Sequence, residues 1–267
     1  MSTGFKPVLV TAVPELSAGA AQLAAQYHMS SELTAETPFY LELTLDGLQL
    51  VWQARPEVKP LTLSFTEGKQ AWRQQQGGGK QEAVVRALGI AKGHRPYILD
   101  ATAGLGRDGM MLAHAGCKVD LLERNPLVHA LLEQAVMQAS QHEKIGAWVQ
   151  ERVRVLPRGS LTENLSSWVE GQYAEQPTAA IYLDPMFPER GKTAAVKKDM
   201  QMLQALVGPD DDADLLLPAA LSIATHRVVV KRPATAPFLS GQTPSTQITT
   251  KKHRFDIYIK KPYSQSE

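Results

Sequence analysis

The sequence predicts a doubly wound α/β protein with a mostly parallel seven-stranded sheet and a small α+β extension at the N-terminus. Three observations predict it. From about residue 90 onward, short apolar strands alternate with longer amphipathic segments, the pattern of a parallel sheet covered by helices on both faces. The stretch Ile98–Leu112, ILDATAGLGRDGMML, passes from an apolar strand through an acid and a glycine-rich turn into helix-like apolar residues. Before about residue 90 this alternation is missing, and hairpin chemistry takes its place.

Taken in order, Val8–Val13, Phe39–Leu45, Leu48–Gln53 and Leu61–Phe65 read as strands, with Asp46-Gly47 as a hairpin turn. Residues 1–67 are therefore expected to form the extension and residues 68–267 the main domain, linked through Gly68–Gly89. Tyr97–Asp100 is the first strand of the main sheet. Arg107–Ala115 follows as a helix closed by Gly116, and Lys118–Glu123 is the second strand. Asn125 supplies an N-cap and Pro126 a first-turn proline for a helix whose apolar Val128, Leu131, Leu132, Ala135, Val136 and Ala139 follow the 3.6-residue period. Val153–Leu156 and Ala179–Asp184 give strands three and four. A helical stretch around Asp212–Ala224 precedes strand five at Arg227–Lys231, and Thr246–Ile259 reads as one or two further strands around a Lys-Lys-His-Arg turn.

A chain of 267 residues can bury a full α/β core with a smaller unit beside it. Its formal charge of +1 does not advertise a nucleic-acid binder, so such a partner has to be argued from local clusters. The single cysteine, Cys117, can form no internal disulfide and sits among apolar residues, which points to a core position in a reducing compartment. No apolar run reaches the ~18 residues of a membrane span. The N-terminus lacks a basic region followed by an apolar stretch, and the protein reads as cytoplasmic. His114, His129, His142 and His226 show no metal-ligand spacing, and no metal is expected.

Two ligands fit a strand, glycine turn and helix. Gly104, Gly106 and Gly109 spell G-x-G-x-x-G, the spacing that admits a dinucleotide pyrophosphate. Asp100 argues against that ligand, because a carboxylate at the strand end repels phosphate oxygens. S-adenosylmethionine carries a sulfonium and an ammonium in place of phosphates. Asp100-x-Thr102-x-Gly104-x-Gly106 then matches the first motif of Rossmann-like methyltransferases. Glu123, 19 residues after Gly104, can accept hydrogen bonds from both ribose hydroxyls of an adenosine, which supports a nucleoside without choosing which.

Strand four ends IYLDPMFPER, and Asp184-Pro185-Met186-Phe187 resembles the Asp/Asn-Pro-Pro-Tyr/Phe tetrapeptide of methyltransferases that act on exocyclic amines of nucleobases. Such an amine is a poor nucleophile because its lone pair is delocalised into the ring. Asp184 and the carbonyl of Pro185 can accept its N–H bonds from a stiff turn, and Phe187 offers a face on which an extruded base can lie. Met186 replaces the usual second proline. After strand three, Gly159-Ser160 can reach an adenine edge, although Ser160 serves equally as a helix N-cap. The run Gly77–Glu82, GGGKQE, fails as a phosphate loop: Gln74 stands where its first glycine is needed and Gln81 where Ser or Thr is needed. Basic residues gather in three clusters: Arg190, Lys192, Lys197 and Lys198; Lys231 and Arg232; Lys251, Lys252 and Arg254. Two of them are expected to border the reaction centre and to suit a phosphate-rich substrate.

With these residues in hand, the chain resembles the bacterial small-subunit ribosomal RNA guanine-N2 methyltransferase J family, class I methyltransferases of Rossmann-like fold. The resemblance spans GGGKQEAVVRALGI, DATAGLGRDGMMLAHAGCKVDLLERNP, IYLDPMFPER, ALVGPDDDADLLLPA, VVVKRP and HRFDIY. It implies cofactor contacts at Arg107 and Asp108, at Glu123 and Arg124, at Gly159 and Ser160, and at Asp184. Members often carry Ser-Ser where this chain has Gly159-Ser160. It further implies S-adenosylmethionine as cofactor and, as substrate, a guanine of 16S ribosomal RNA, free or in the small ribosomal subunit. Three rivals stay open on the residues alone: an NAD-dependent oxidoreductase, a ribosome-binding relative without activity, and a DNA adenine or cytosine amine methyltransferase.

Overall fold

Two sheets organise the chain in this computed structural model, which describes residues 6–67, 83–91, 93–163, 165–169, 177–186, 198–208, 210, 212–251 and 253–263. The first sheet has the order β1-β2-β3-β4, from Leu9–Val10 (β1), Phe39–Thr44 (β2), Gly47–Trp52 (β3) and Leu61–Thr62 (β4). Phe39 lies opposite Trp52 and their rings stack with centroids 5.3 Å apart, a cross-strand pair that fixes the hairpin register. Thr44 pairs with Gly47, so the turn residues are Leu45 and Asp46, one position earlier than the sequence predicts. Gly47, at φ +112°, supplies the left-handed exit. Helix α1 (Ser17–Gln26) sets its small side chains Ala20 and Ala24 against β1.

The second sheet has the order β10-β11-β9-β8-β5-β6-β7. Its strands are Ile98–Asp100 (β5), Val119–Leu121 (β6), Val153–Val155 (β7), Ala180–Leu183 (β8), Arg227–Pro233 (β9), Thr246–Thr249 (β10) and His253–Ile259 (β11). All neighbours run parallel except β11, which is antiparallel to both β9 and β10. The seven-stranded, mostly parallel sheet expected from the alternation is thus present. Chain order runs from β5 out to β7 on one side and from β8 outward on the other. The switch point, where open α/β sheets bind ligands, therefore falls between β5 and β8.

Helices cover both faces. Ala83–Ala87 (α2), Arg107–His114 (α3), Pro126–Ser140 (α4) and Lys198–Val207 (α7) contribute to the apolar cluster holding Ile98, Val119, Tyr182 and Val229. Ala213–Ile223 (α8) packs Leu216, Leu217 and Ala220 on Leu99, Ile181, Val228 and Val230 of the opposite face. Gly146–Arg152 (α5) and Leu165–Val169 (α6) complete the described helices. Asn125 caps α4 as its sequence predicts, its side-chain oxygen accepting from the N–H groups of Leu127 (3.0 Å) and Val128 (3.2 Å), and all six periodic positions are buried. His129, also buried, joins α4 to the end of β7 through a 2.9 Å hydrogen bond between Nε2 and the Leu156 carbonyl oxygen.

The first sheet and the α3–α4 face share one apolar cluster. Gln134 donates across it to the Tyr27 hydroxyl at 2.9 Å, and Phe65 reaches the glycine turn. Cys117 is buried, and burial pushes its thiol up to about 12. Among the described residues no helix is long and apolar enough to cross a membrane.

Candidate active site

At the switch point the glycine turn takes its shape from what a side chain would meet there. Gly104 (φ +52°) and Gly106 (φ +66°) lie in the left-handed region, where a Cβ is strained. A Cβ on Gly106 would also come within 2.6 Å of Leu132 Cδ1 and 3.3 Å of Phe65 Cζ. The third glycine, Gly109, lets α3 lie close on β6, since a Cβ there would meet Leu121 Cδ2 at 2.3 Å. Each glycine has a separate reason, as in nucleoside-binding folds.

Around this turn the sheet gathers acids on one face. Strand alternation puts Asp100, Tyr182, Asp184 and Lys231 on the same side as α3, because Asp100 pairs with Tyr182, and Asp184 lies one rung beyond the Leu183–Val230 pair. Asp100 is 2% exposed and its Oδ1 accepts the Thr102 N–H at 3.3 Å. Burial, then the charge of Asp108, holds its carboxyl well above the usual carboxylate range. Glu123 is buried at the end of strand two, where it accepts the N–H groups of Gly104 (2.8 Å) and Asn125 (2.6 Å). Burial raises this carboxyl and the two N–H groups oppose the rise.

Lys231, which the sequence offers only as one member of a basic cluster, stands at the centre of this group. Its Nζ donates to Asp184 Oδ2 at 2.8 Å and to Asp108 Oδ2 at 3.1 Å, and the Tyr182 hydroxyl donates to the same Asp108 oxygen at 2.6 Å. Burial alone would lower the ammonium, but the two carboxylates outweigh it and hold the pKa above normal. Asp184 is raised by burial, an effect that Lys231 opposes and Asp108 reinforces; 39% of its side-chain surface stays open to water, which blunts these shifts. Its backbone N–H donates to Thr102 Oγ1 at 2.6 Å, tying the end of β8 to the glycine turn. Arg107, at the start of α3, faces outward and pairs with Asp199 at 3.8 Å.

The Asp184-Pro185-Met186 turn is held from a third direction. The N–H of Met186 donates to Asp210 Oδ2 at 2.6 Å. Arg124 grips Asp210 through one guanidinium nitrogen and Asp212 through another at 2.7 Å. The residue after Glu123 thereby braces the turn that ends strand four. Phe187 lies outside the described residues. In the strand-three loop Gly159 donates its N–H to the Glu123 carbonyl oxygen at 3.1 Å. Ser160, 4% exposed, places its hydroxyl 3.1 Å from that of Thr162 and so closes a local turn; α6 begins only at Leu165.

The basic edge needs correcting. Arg232 is 2% exposed and donates to the Pro237 carbonyl oxygen, and Arg254 is bound to Asp256 and to the carbonyl oxygens of Ala234 and Ala236. These arginines pair across β9 and β11, and strand alternation sends both side chains into the protein body. With Lys231 clamped by two acids, the second cluster offers no exposed charge to a phosphate. Lys198 and Lys251 are exposed. Arg190, Lys192, Lys197 and Lys252, like the Gly77–Glu82 run, lie outside the described residues.

Residues 22–260 match the family model described as "Putative SAM-dependent methyltransferase". A ribosomal RNA small subunit methyltransferase J of Aeromonas salmonicida is 46% identical over 92% of this chain and 94% of its own length. One of Idiomarina loihiensis is 43% identical over 99% of this chain and 98% of its own. The chain belongs to the ribosomal RNA small subunit methyltransferase J family. A solved SAM-dependent methyltransferase of Neisseria gonorrhoeae covers 97% of the chain at a TM-score of 0.71 and 29% identity, with 98% of its own length matched.

As a member of that family the protein is a methyltransferase dependent on S-adenosylmethionine, and the residues at the switch point fit that group. Asp108 and Asp184 share a single lysine and Asp100 stands beside them, a group of carboxyls whose ionised forms a sulfonium and an ammonium favour. The NAD-dependent reading falls with this assignment.

Proposed function

We propose that the protein transfers the methyl group of S-adenosylmethionine to the exocyclic N2 amine of a guanine in 16S ribosomal RNA, free or within the small subunit. The observation that carries the chemistry is the carboxylate of Asp184, on a residue whose backbone N–H is tied to Thr102 of the glycine turn and which is followed by the rigid Pro185. The substrate is supported by the relatives, whose names specify small-subunit ribosomal RNA.

When bound, S-adenosylmethionine supplies an electrophilic methyl group. Asp100, Gly104, Gly106, Arg107 and Asp108 hold its amino-acid end, and Glu123 takes the ribose hydroxyls through carboxylate lone pairs that Gly104 and Asn125 leave unused. Arg124, Gly159 and Ser160 form the wall toward the adenine. Asp184 and the Pro185 carbonyl accept the N–H bonds of the guanine amine, which lets its nitrogen pyramidalise and turn its lone pair toward the methyl. Phe187 stacks on the extruded base, a contact worth about 1–3 kcal/mol. Residues 1–67 act as an extension of a catalytic unit formed by residues 68–267, and the protein works in the cytoplasm.

Labelled S-adenosylmethionine, incubated with ribosomal RNA and small subunits from cells lacking the protein and with DNA as a parallel substrate, tests this reading. Nucleoside analysis is expected to place the label in N2-methylguanosine of 16S RNA. Label in adenine or cytosine, or only in DNA, overturns it.

A further inference from the structure

We propose that Lys231 is a positioning residue for methyl transfer: clamped between Asp184 and Asp108, its ammonium orients the Asp184 carboxylate and supplies its counter-charge while the target amine is bound. This inference rests on the reading of Asp184 as the amine's acceptor.

The geometry is specific to one carboxylate oxygen. Nζ binds Oδ2 of Asp184 at 2.8 Å, and among the described residues Oδ1 has no hydrogen-bond partner. A lysine engaged with Oδ2 therefore leaves Oδ1 as the acceptor for a substrate N–H. Lys231 cannot swing away easily, because Asp108 holds the same nitrogen at 3.1 Å and Tyr182 fixes Asp108 in turn. The side chain is 21% exposed.

The surroundings explain why a counter-charge is needed. Asp184 is faced by Lys231 from β9, Asp108 from α3, Asp100 from β5, Tyr182 from its own strand and His253 from β11. Two of these five groups are carboxyl groups, and the packed walls also disfavour a charge. Without the ammonium, burial and Asp108 would favour a neutral Asp184, whose protonated oxygen offers a donor where the amine needs an acceptor. The balance of the step requires that acceptor. The amine's lone pair forms the new N–C bond, the methyl–sulfur pair leaves with sulfur, and the surplus proton on nitrogen passes to Asp184 Oδ1 and then to water. Lys231 stays protonated throughout and has no lone pair with which to take that proton.

The test is the pH dependence of kcat at saturating S-adenosylmethionine and small-subunit RNA for wild type, Lys231→Met, Lys231→Arg and Asp108→Asn, with melting curves for each. Lys231 lowers the Asp184 pKa and Asp108 raises it, so the two neutral substitutions should move the acid limb in opposite directions. Lys231→Met is expected to move the limb up by about one pH unit or more, a tenfold or larger loss on the limb that is largely recovered at high pH. Lys231→Arg should keep the limb near its wild-type position, and Asp108→Asn should move it down. A loss of kcat by the same factor at every pH, or no loss, overturns the proposal. If Lys231→Met does not fold, Asp108→Asn decides, and an unmoved limb there overturns it equally. If the wild-type control transfers no methyl to RNA, the proposed function has failed and the inference falls with it.

Discussion

Asp210 accepts the backbone N–H of Met186 at 2.6 Å, and that N–H exists because methionine stands where related tetrapeptides carry a second proline. A proline fixes its own φ and has no N–H. Methionine loses the ring but gains a donor, and an acid held by Arg124 captures it. An external clamp thus replaces an internal constraint.

Asp210→Ala should therefore cost about 1.5–3 kcal/mol, the range for a hydrogen bond to a charged group, appearing mainly as slower methyl transfer. Met186→Pro removes the donor and restores the ring, so adding Asp210→Ala in that background should cost clearly less. Single-turnover rates of the two single variants and the double variant form the cycle. Additive losses would show that Asp210 acts on something other than the turn.

Glu123 carries two loads, since its carboxylate holds the Gly104 and Asn125 N–H groups as well as facing the proposed ribose site. Glu123→Ala should weaken S-adenosylmethionine binding by roughly 1–3 kcal/mol and also lower the melting temperature of the free protein, because two backbone donors lose their acceptor. Calorimetry and thermal melting check the two effects separately. An unchanged dissociation constant with a lowered melting temperature would confine Glu123 to the fold.

Asp100 gives the cofactor site a pH dependence. Burial and Asp108 raise its carboxyl in the folded protein, so the free enzyme retains this proton at pH values where the unfolded chain, near the ordinary value of about 3.9, has lost it. Ionisation is penalised in the fold, and this group's effect on stability becomes less favourable as pH rises from the unfolded toward the folded pKa. A cationic ligand favours the ionised form. S-adenosylmethionine binding should release protons below the raised pKa and tighten as pH rises through it, then level off. Calorimetry in buffers of different ionisation enthalpy measures the release, and Asp100→Asn should abolish it. Persistence of the release in Asp100→Asn would assign it to another group.

What could be read in the sequence was what depends on neighbours along the chain. The Asn125 cap, the six buried positions of α4, the Asp100 strand end and the paired glycines all follow from local spacing, and the strand alternation was enough to place both Asp100 and Asp184 at one sheet edge. Lys231 was visible only as a charge. Its partners lie 47 and 123 residues away, and the pairing of β8 with β9 is what sets it opposite Asp184. Arg232 and Arg254 depart from the sequence-based expectation for the same reason: a one-residue step along a strand separates an exposed cation from a buried one. Asp210 gave no signal, because an acid before a helix is ordinarily a cap.

The central claim is that the Asp184 carboxylate accepts the amine during methyl transfer, and the most direct measurement is the single-turnover rate of Asp184→Asn beside its S-adenosylmethionine dissociation constant. Asparagine keeps one acceptor oxygen but adds N–H donors that oppose the amine. With the variant folded by circular dichroism and melting, the rate should fall by much more than the cofactor affinity, the signature of an interaction made in the transition state. A wild-type rate, or a rate that falls only in step with cofactor affinity, would contradict the account.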